Sequence, residues 1–128
     1  MILAAIAGAL ICAQVYATDN GTGKIVVYYS AYNVGLNPVV NIYIVKSEGQ
    51  QGIALHANRY YEFVVPPGAH TLIRHGPMGS KDAIEVQVKK SETIYVECHV
   101  IPLGGWTFEV SEDQAHAKLR VSQLKPQS

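Results

Sequence analysis

Hydrophobic and polar residues alternate along most of the chain after residue 23, with the period of two that is typical of a half-buried β-strand. The clearest alternation places Ile84, Val86 and Val88 on one side and Glu85, Gln87 and Lys89 on the other. The pattern returns over residues 93–100, where Ile94, Val96, Cys98 and Val100 share a side. Both stretches predict strands with one face in a core and one face in water.

Other stretches predict further strands. Residues 24–32 (KIVVYYSAY) are mostly β-branched or aromatic, which predicts a central strand buried on both faces. Strands are also predicted at residues 39–46, 59–65, 69–75 and 106–110. In the strand at 59–65, Tyr61, Phe63 and Val65 share a side. In the strand at 106–110, Trp106, Phe108 and Val110 share a side. Residues 47–52 (SEGQQG) predict a turn, and only a short segment, 53–56, follows it before the next strand.

The stretch YYEFVVPPGAHT, residues 60–71, predicts a rigid corner between two strands. Pro66 removes a backbone donor and keeps Val65 extended, so the strand must end there. Pro67 and Gly68 suit a type II turn, in which the second residue has a positive φ. Tight hairpins prefer the primed turn types, so Pro66, Pro67 and Gly68 predict a wider structural turn, and His70 beside it is interpreted as structural.

The end of the chain predicts a short helix. Ser111 followed by Gln114 is a capping box, which predicts a helix over residues 112–119, then a brief strand at 120–124 before Pro126. Many short strands and one late helix predict a mainly β fold: a single β-sandwich of about seven to eight short antiparallel strands with one short C-terminal helix. The predicted organisation is a linker at 18–23, the sandwich domain at 24–124 and a tail at 125–128.

The first 17 residues (MILAAIAGALICAQVYA) are apolar and uncharged. With small residues at Val15 and Ala17, they predict a secretory signal peptide cut after Ala17. They lack the usual basic residue at the start, so a retained N-terminal anchor and an acylated Cys12 stay as alternatives. The resulting expectation is an exported protein of the periplasm or the outer membrane.

Charge excludes some classes of partner. The ten basic and ten acidic residues all follow residue 17, and they leave the chain formally neutral. This balance does not favour nucleic-acid binding. It also provides no basic patch for anionic lipid, so membrane association is expected only through residues 1–17, if they are retained.

No combination of residues predicts catalysis, a metal or a cofactor. The five histidines, His56, His70, His75, His99 and His116, have no ligand spacing among themselves. Cys98 falls on the apolar side of its strand and is interpreted as a small core residue. Glu62, Glu85, Glu97 and Glu109 fall on polar sides, where a solvated role is expected. The sequence therefore predicts a protein that is not an enzyme.

Aromatic residues are the remaining candidates for binding. Adjacent tyrosines such as Tyr28 and Tyr29 point to opposite faces of a strand, so one of each pair must lie away from the main core. We therefore consider Tyr28, Tyr60, Tyr95 and Trp106 as a contact surface for protein or glycan. The alternative is that they pack across strands and against the helix.

The chain resembles a family of small exported bacterial domains of unknown function, often lipoproteins, that are similar to PEGA-type sandwich modules. The stretches that carry the resemblance are KIVVYYSA, VNIYIV, RYYEFVVPPGAHTL, AIEVQVKKSETIYVECHV and WTFEVSEDQAHAKL, within residues 24–119. The resemblance implies a β-sandwich in the cell envelope and transfers no catalytic residues.

Two functional hypotheses follow. The first is a non-catalytic envelope protein that acts by protein–protein contact, as an accessory or structural subunit of an assembly, because its strand edges are available for pairing. The second is a module that binds glycan or peptidoglycan through exposed tyrosine and tryptophan. The sequence leaves the partner and the oligomeric state open.

Overall fold

Nine β-strands and one α-helix make up the described part of the chain, which comprises residues 21–30, 39–47, 49–75, 81–101 and 105–127 of a computed structural model. The strands are β1 (Gly23–Ser30), β2 (Val40–Lys46), β3 (Gly49–Leu55), β4 (Arg59–Val65), β5 (Gly68–His75), β6 (Lys81–Val88), β7 (Thr93–Ile101), β8 (Gly105–Val110) and β9 (Lys125–Pro126). The helix α1 (Gln114–Ser122) lies between β8 and β9. The predicted leader, residues 1–17, lies outside the described residues.

The strands form two sheets, and the predicted mainly β sandwich with one short C-terminal helix is confirmed. The five-stranded sheet has the order β8-β7-β1-β4-β9, and the four-stranded sheet has the order β3-β2-β5-β6. Pairing departs from the predicted antiparallel arrangement at two places, since β1 is parallel to β7 and β9 is parallel to β4. Alternation along one strand is the same for either direction, so it contains no information about which direction a neighbour runs.

The main core lies between the sheets. Its buried residues from β1, β2 and β7 are Ile25, Val27, Tyr29, Val40, Ile42, Ile44, Val96 and Cys98. The alternation predicted for β6 is confirmed at Val86 and Val88, which are buried while Glu85 and Gln87 are exposed. Hydrophobic side chains that alternate along each strand therefore reach one shared interior.

A second, smaller core covers the outer face of the five-stranded sheet. Val26 and Tyr28 of β1 pack there against Ala117 and Val121 of α1. Because α1 lies on this face, β1 is buried on both sides, as its composition predicts. The helix therefore accounts for the apolar residues of β1 that point away from the main core.

The Pro-Pro-Gly stretch forms a corner that carries the chain from one sheet to the other, which confirms the predicted wide turn. β4 belongs to the five-stranded sheet and β5 to the four-stranded sheet. Gly68 has a φ of +132°, as predicted for this position. The Nε2 atom of His70 lies 2.6 Å from the Pro66 carbonyl oxygen, so His70 closes the corner with a hydrogen bond.

The C-terminal region differs from its prediction. The helix begins at Gln114 with Asp113 as its N-cap, whose side chain accepts a hydrogen bond from the backbone N–H of His116 at 3.0 Å. The Ser111–Gln114 capping box does not form, and the strand predicted at 120–124 is wrong because the helix continues to Ser122. Part of the predicted tail is instead the strand β9, which pairs with Arg59 and Tyr60.

Candidate functional site

Tyr28, predicted as part of a contact surface, is buried. Its side chain is 3% exposed beneath α1, and its hydroxyl forms a 2.8 Å hydrogen bond with the Ser111 hydroxyl. Burial raises the pKa of Tyr28 above its ordinary value. Because α1 packs against this side chain, Tyr28 does not form part of an open, solvent-facing surface.

Two other predicted contact residues, Tyr60 and Tyr95, lie on the same face of the five-stranded sheet as Tyr28. Tyr60 and Tyr95 are half-buried, and both pack beside the smaller core together with Leu124. Burial also raises the pKa of Tyr95. The backbone of Trp106 pairs with Val100, while its side chain lies outside the described residues. The three tyrosines, Tyr28, Tyr60 and Tyr95, therefore pack around the smaller core between the sheet and the helix.

Cys98 lies in the main core, as its strand position predicts. It is fully buried, and burial raises the pKa of its thiol to about 12. The thiolate is the nucleophilic form of cysteine, so the thiol of Cys98 is unreactive near neutral pH.

A buried charge inside the sandwich was missed from the sequence. Arg74 is 2% exposed, points to the same side of β5 as Leu72, and forms an ion pair with Asp82 on β6. The sequence did contain a signal for the burial of Arg74, because alternation over residues 69–75 places Arg74 on the same face as the apolar Leu72. Asp82 is half exposed and connects this cation to the surface, which is how a buried arginine is normally accommodated.

Histidines and carboxylates form no metal centre within the described residues, where no group of three potential ligands comes together. His56 bonds to Gln127 and His99 lies 3.1 Å from the Ser30 carbonyl oxygen. Both contacts tie one segment of the fold to another.

A polar cleft of about 340 Å³ lies between α1, β7 and β8. Its lining includes four carboxylates, Glu97, Glu109, Glu112 and Asp113, and it also contains Tyr28, Ser111 and His116. Glu97 and Glu109 are direct cross-strand partners, an arrangement in which like charges repel. The cleft is therefore strongly negative and disfavours anionic ligands.

One side of the sandwich has open strand edges in both sheets. The sheets contact each other through β3 and β4 on this side, and through β6 with β7 and β8 on the opposite side. β3 pairs with β2 on one edge, and no described strand pairs with its other edge. β9 covers β4 only at Arg59 and Tyr60, so residues 61–65 have no partner strand on that edge within the described part of the chain.

The margin of the main core is half-buried on this open side. Three side chains pack against the core without being fully covered: Ile53 of β3, Ala57 of the β3–β4 turn and Tyr61 of β4. An unpaired edge presents backbone N–H and C=O groups that another strand can satisfy. The open side therefore combines backbone hydrogen-bonding groups with apolar side chains that a further strand would bury.

An apolar cleft of about 390 Å³ lies at the end of this open side, between the β2–β3 turn and the end of β4. Its lining residues are Ile44, Val45, Lys46, Ser47, Val64, Val65, Pro66 and His70. Two of the valines are exposed, Val64 at 58% and Val45 at 40%. The cleft is large enough for one or two apolar side chains of a partner.

Sequence reasoning predicted the strand β4, without its edge position, and missed the strand β3. The segment GQQGIAL was predicted as a turn and a short extension, yet it forms a seven-residue strand. Glycine has low strand propensity and glutamine is not among the strand-favouring residues, so pairing with β2 decides this conformation.

Comparison with known proteins adds no assignment: the chain matches no protein-family model and no curated protein. Across the described residues, no helix has both the length and the apolar character needed to cross a bilayer. The fold and the open side define a β-sandwich with one covered outer face and one side available for strand pairing.

Proposed function

We propose that this chain is a non-catalytic, exported cell-envelope β-sandwich that acts by protein–protein contact and accepts an extended segment of a partner protein along its open side. The observation that carries the proposal is that one side combines an apolar cleft with two strand edges, β3 and residues 61–65 of β4, that no described strand covers. Addition of a strand to an exposed sheet edge is a common mode of peptide recognition, in which backbone hydrogen bonds provide affinity.

The open side also indicates which residue types the partner segment should contain. Alternate residues of a strand added to β4 would face the core margin at Tyr61, so they should be apolar. One further apolar side chain would fill the cleft beside Val64. Lys46 and His70 are the polar side chains with nitrogen at the cleft, which favours a neutral or acidic segment over a basic one.

The envelope location is supported by the leader pattern of residues 1–17 and by the resemblance to small exported domains. A non-catalytic role is supported by the buried, unreactive Cys98 and by the hydrogen bonds that assign His56, His70 and His99 to structural contacts. An accessory or structural subunit of an envelope assembly is the function that these features favour.

The test is capture of a partner from native envelopes with the full chain as bait. The parent protein should retain a partner, and Val64→Asp should lose it, because a carboxylate placed in the cleft would be desolvated by the bound segment. Val110→Asp is the matched control, since Val110 is also an exposed valine, at 38%, but lies on β8 on the opposite side.

Circular dichroism should show that both variants keep the parental fold. Recovery of the parent protein alone, with no stable partner, contradicts the proposal. Equal loss of the partner in Val64→Asp and Val110→Asp would also contradict the assigned surface.

The glycan alternative has weaker support, because a buried Tyr28 and half-buried Tyr60 and Tyr95 do not present flat, open rings. Binding of cell-wall fragments through Trp106 would quench its fluorescence, and a flat titration removes this alternative.

A further inference from the structure

Among the sheet edges that the structure describes, β3 is the one without protection against pairing. Its seven residues, GQQGIAL, contain no charge and no proline. The other sheet edges within the described residues carry such protection: Lys81, Asp82 and Glu85 in β6, Glu109 in β8, and Lys125 and Pro126 in β9. Charges and proline on an edge strand normally prevent it from pairing with another chain. β3 lacks these devices, so it is open to pairing.

An uncharged edge is also suited to its own copy. In a two-fold interface the same surface meets itself, so a charged edge brings like charges close together. Such a pairing is destabilising when the charges are directly opposite. β3 has no charge to repel itself, and the formal net charge of the chain is zero, so long-range repulsion does not oppose approach of two copies.

We propose that β3 pairs antiparallel with β3 of a second copy, around a two-fold axis at Ile53. This joins the two four-stranded sheets into one continuous eight-stranded sheet. The inference rests on the proposed function, because it names the first partner of the open side. It leaves the edge of β4, which belongs to the other sheet, for the segment of a different protein.

The position of the axis follows from the side chains. Ile53 lies half-buried at the margin of the main core. With the axis at this residue, Ile53 faces Ile53 of the second copy, and each covers the exposed part of the other. On the outer face Gly52 then lies opposite Ala54 of the second copy, so only small residues meet. An axis at Gly52 would instead place each Ile53 opposite the amide of Gln51.

Sedimentation equilibrium of the full chain, over a range of concentrations, should show a monomer–dimer equilibrium. Ile53→Lys places two ammonium groups opposite each other and should weaken the dimer by at least about tenfold. Ala54→Lys alters an exposed residue of the same strand and should weaken it as well without disturbing the core. Ala83→Lys, an exposed alanine on β6, is the matched control and should leave the dimer unchanged.

Cysteine cross-linking tests the register. Ile53→Cys should form a disulfide-linked dimer on mild oxidation, because directly opposite Cβ atoms lie within about 4.5–5.5 Å. Gln87→Cys on β6 should not, and the parent chain controls for Cys12 and Cys98.

The outcomes separate this inference from the proposed function. A parent chain that is monomeric throughout, or a dimer unaffected by both Ile53→Lys and Ala54→Lys, overturns the β3 pairing. If such a monomer still captures an envelope partner through Val64, the proposed function stands and only the self-pairing fails. If neither dimer nor partner is found, both fail.

Discussion

The side-chain amide of Gln114 forms two hydrogen bonds with the backbone of Tyr95: its Oε1 accepts from the Tyr95 N–H at 2.7 Å, and its Nε2 donates to the Tyr95 carbonyl at 3.0 Å. The same Nε2 also donates to the Ser111 carbonyl at 2.7 Å. Tyr95 lies one residue beyond the β7–β8 ladder, which ends at Val96 and Val110. The amide therefore continues the ladder and fixes the start of α1 against the sheet.

Gln114→Ala should destabilise the protein by about 1–3 kcal/mol, because it removes the acceptor of the partly buried Tyr95 N–H. The Tyr95 carbonyl would keep its hydrogen bond from the Ser111 N–H. Urea unfolding followed by circular dichroism measures this change. Gln123→Ala, at the exposed C-cap of α1, should stay within about 0.5 kcal/mol of the parent. Equal effects of the two substitutions would show that the amide contacts contribute nothing specific.

Gly68→Val should lower the free energy of unfolding by about 1 kcal/mol or more, because a β-branched residue resists positive φ. A Cβ at Gly68 would meet no atom within 4 Å, so the cost comes from the backbone and not from a clash. Thermal melting measures the effect, with Ala69→Val at the adjacent exposed position as control. An unchanged melting temperature for Gly68→Val would contradict the strained geometry of the corner.

Gly23→Ala should destabilise by a different mechanism. A Cβ there would lie 2.4 Å from Cγ1 of Val88, 2.7 Å from the Lys89 carbonyl oxygen and 2.9 Å from the Glu92 carbonyl oxygen. The β6–β7 turn is held at this distance by the hydrogen bond from the Lys24 N–H to Glu92, at 2.8 Å. We expect a loss of about 1–3 kcal/mol in urea unfolding. A loss below about 0.5 kcal/mol would mean that the turn moves away freely.

Stability should fall in alkaline solution. Burial raises the pKa of Cys98 to about 12 from 9.0, and burial also raises the pKa values of Tyr28, Tyr29 and Tyr95 above 10.0. Above about pH 9 the unfolded chain releases protons that the folded chain retains, so the free energy of unfolding decreases as pH rises towards 12. Below about pH 9 these groups contribute no slope.

Urea midpoints between about pH 8 and pH 11 test this expectation. Cys98→Val should reduce the slope, because valine fills the site without a titrating group. A midpoint that stays constant in the parent, or a slope that Cys98→Val does not change, would contradict the role of the buried thiol.

Several parts of the fold were predictable from the sequence, because a local hydrophobic pattern or a turn residue decides their conformation. The alternation at Val86 and Val88 placed β6, and the unbroken apolar run of β1 indicated burial on both faces. The positive φ of Gly68 followed from turn chemistry. The edge strand β3 was not predictable, because its own residues favour a turn and only its seven pairs with β2 make it extended.

The candidate site shows the same division. The tyrosines were conspicuous in the sequence, but α1 covers Tyr28, and nothing in the sequence stated on which sheet face that helix would pack. The open side depends on which strands end up at the edges of two sheets. That is a property of strand order, and it brings together residues far apart in the sequence, such as Val45 and Val64.

By itself, the sequence determined the fold class, the corner at Pro66 to Gly68, the burial of Cys98 and the neutral charge, because each depends on local geometry or simple composition. Only the tertiary structure decided the parallel neighbour of β1, the face that α1 covers, the ion pair of Arg74 and the open side at β3 and β4. These features arise from pairing and packing between distant segments, and the free energy of those contacts overrides the preferences of any single stretch.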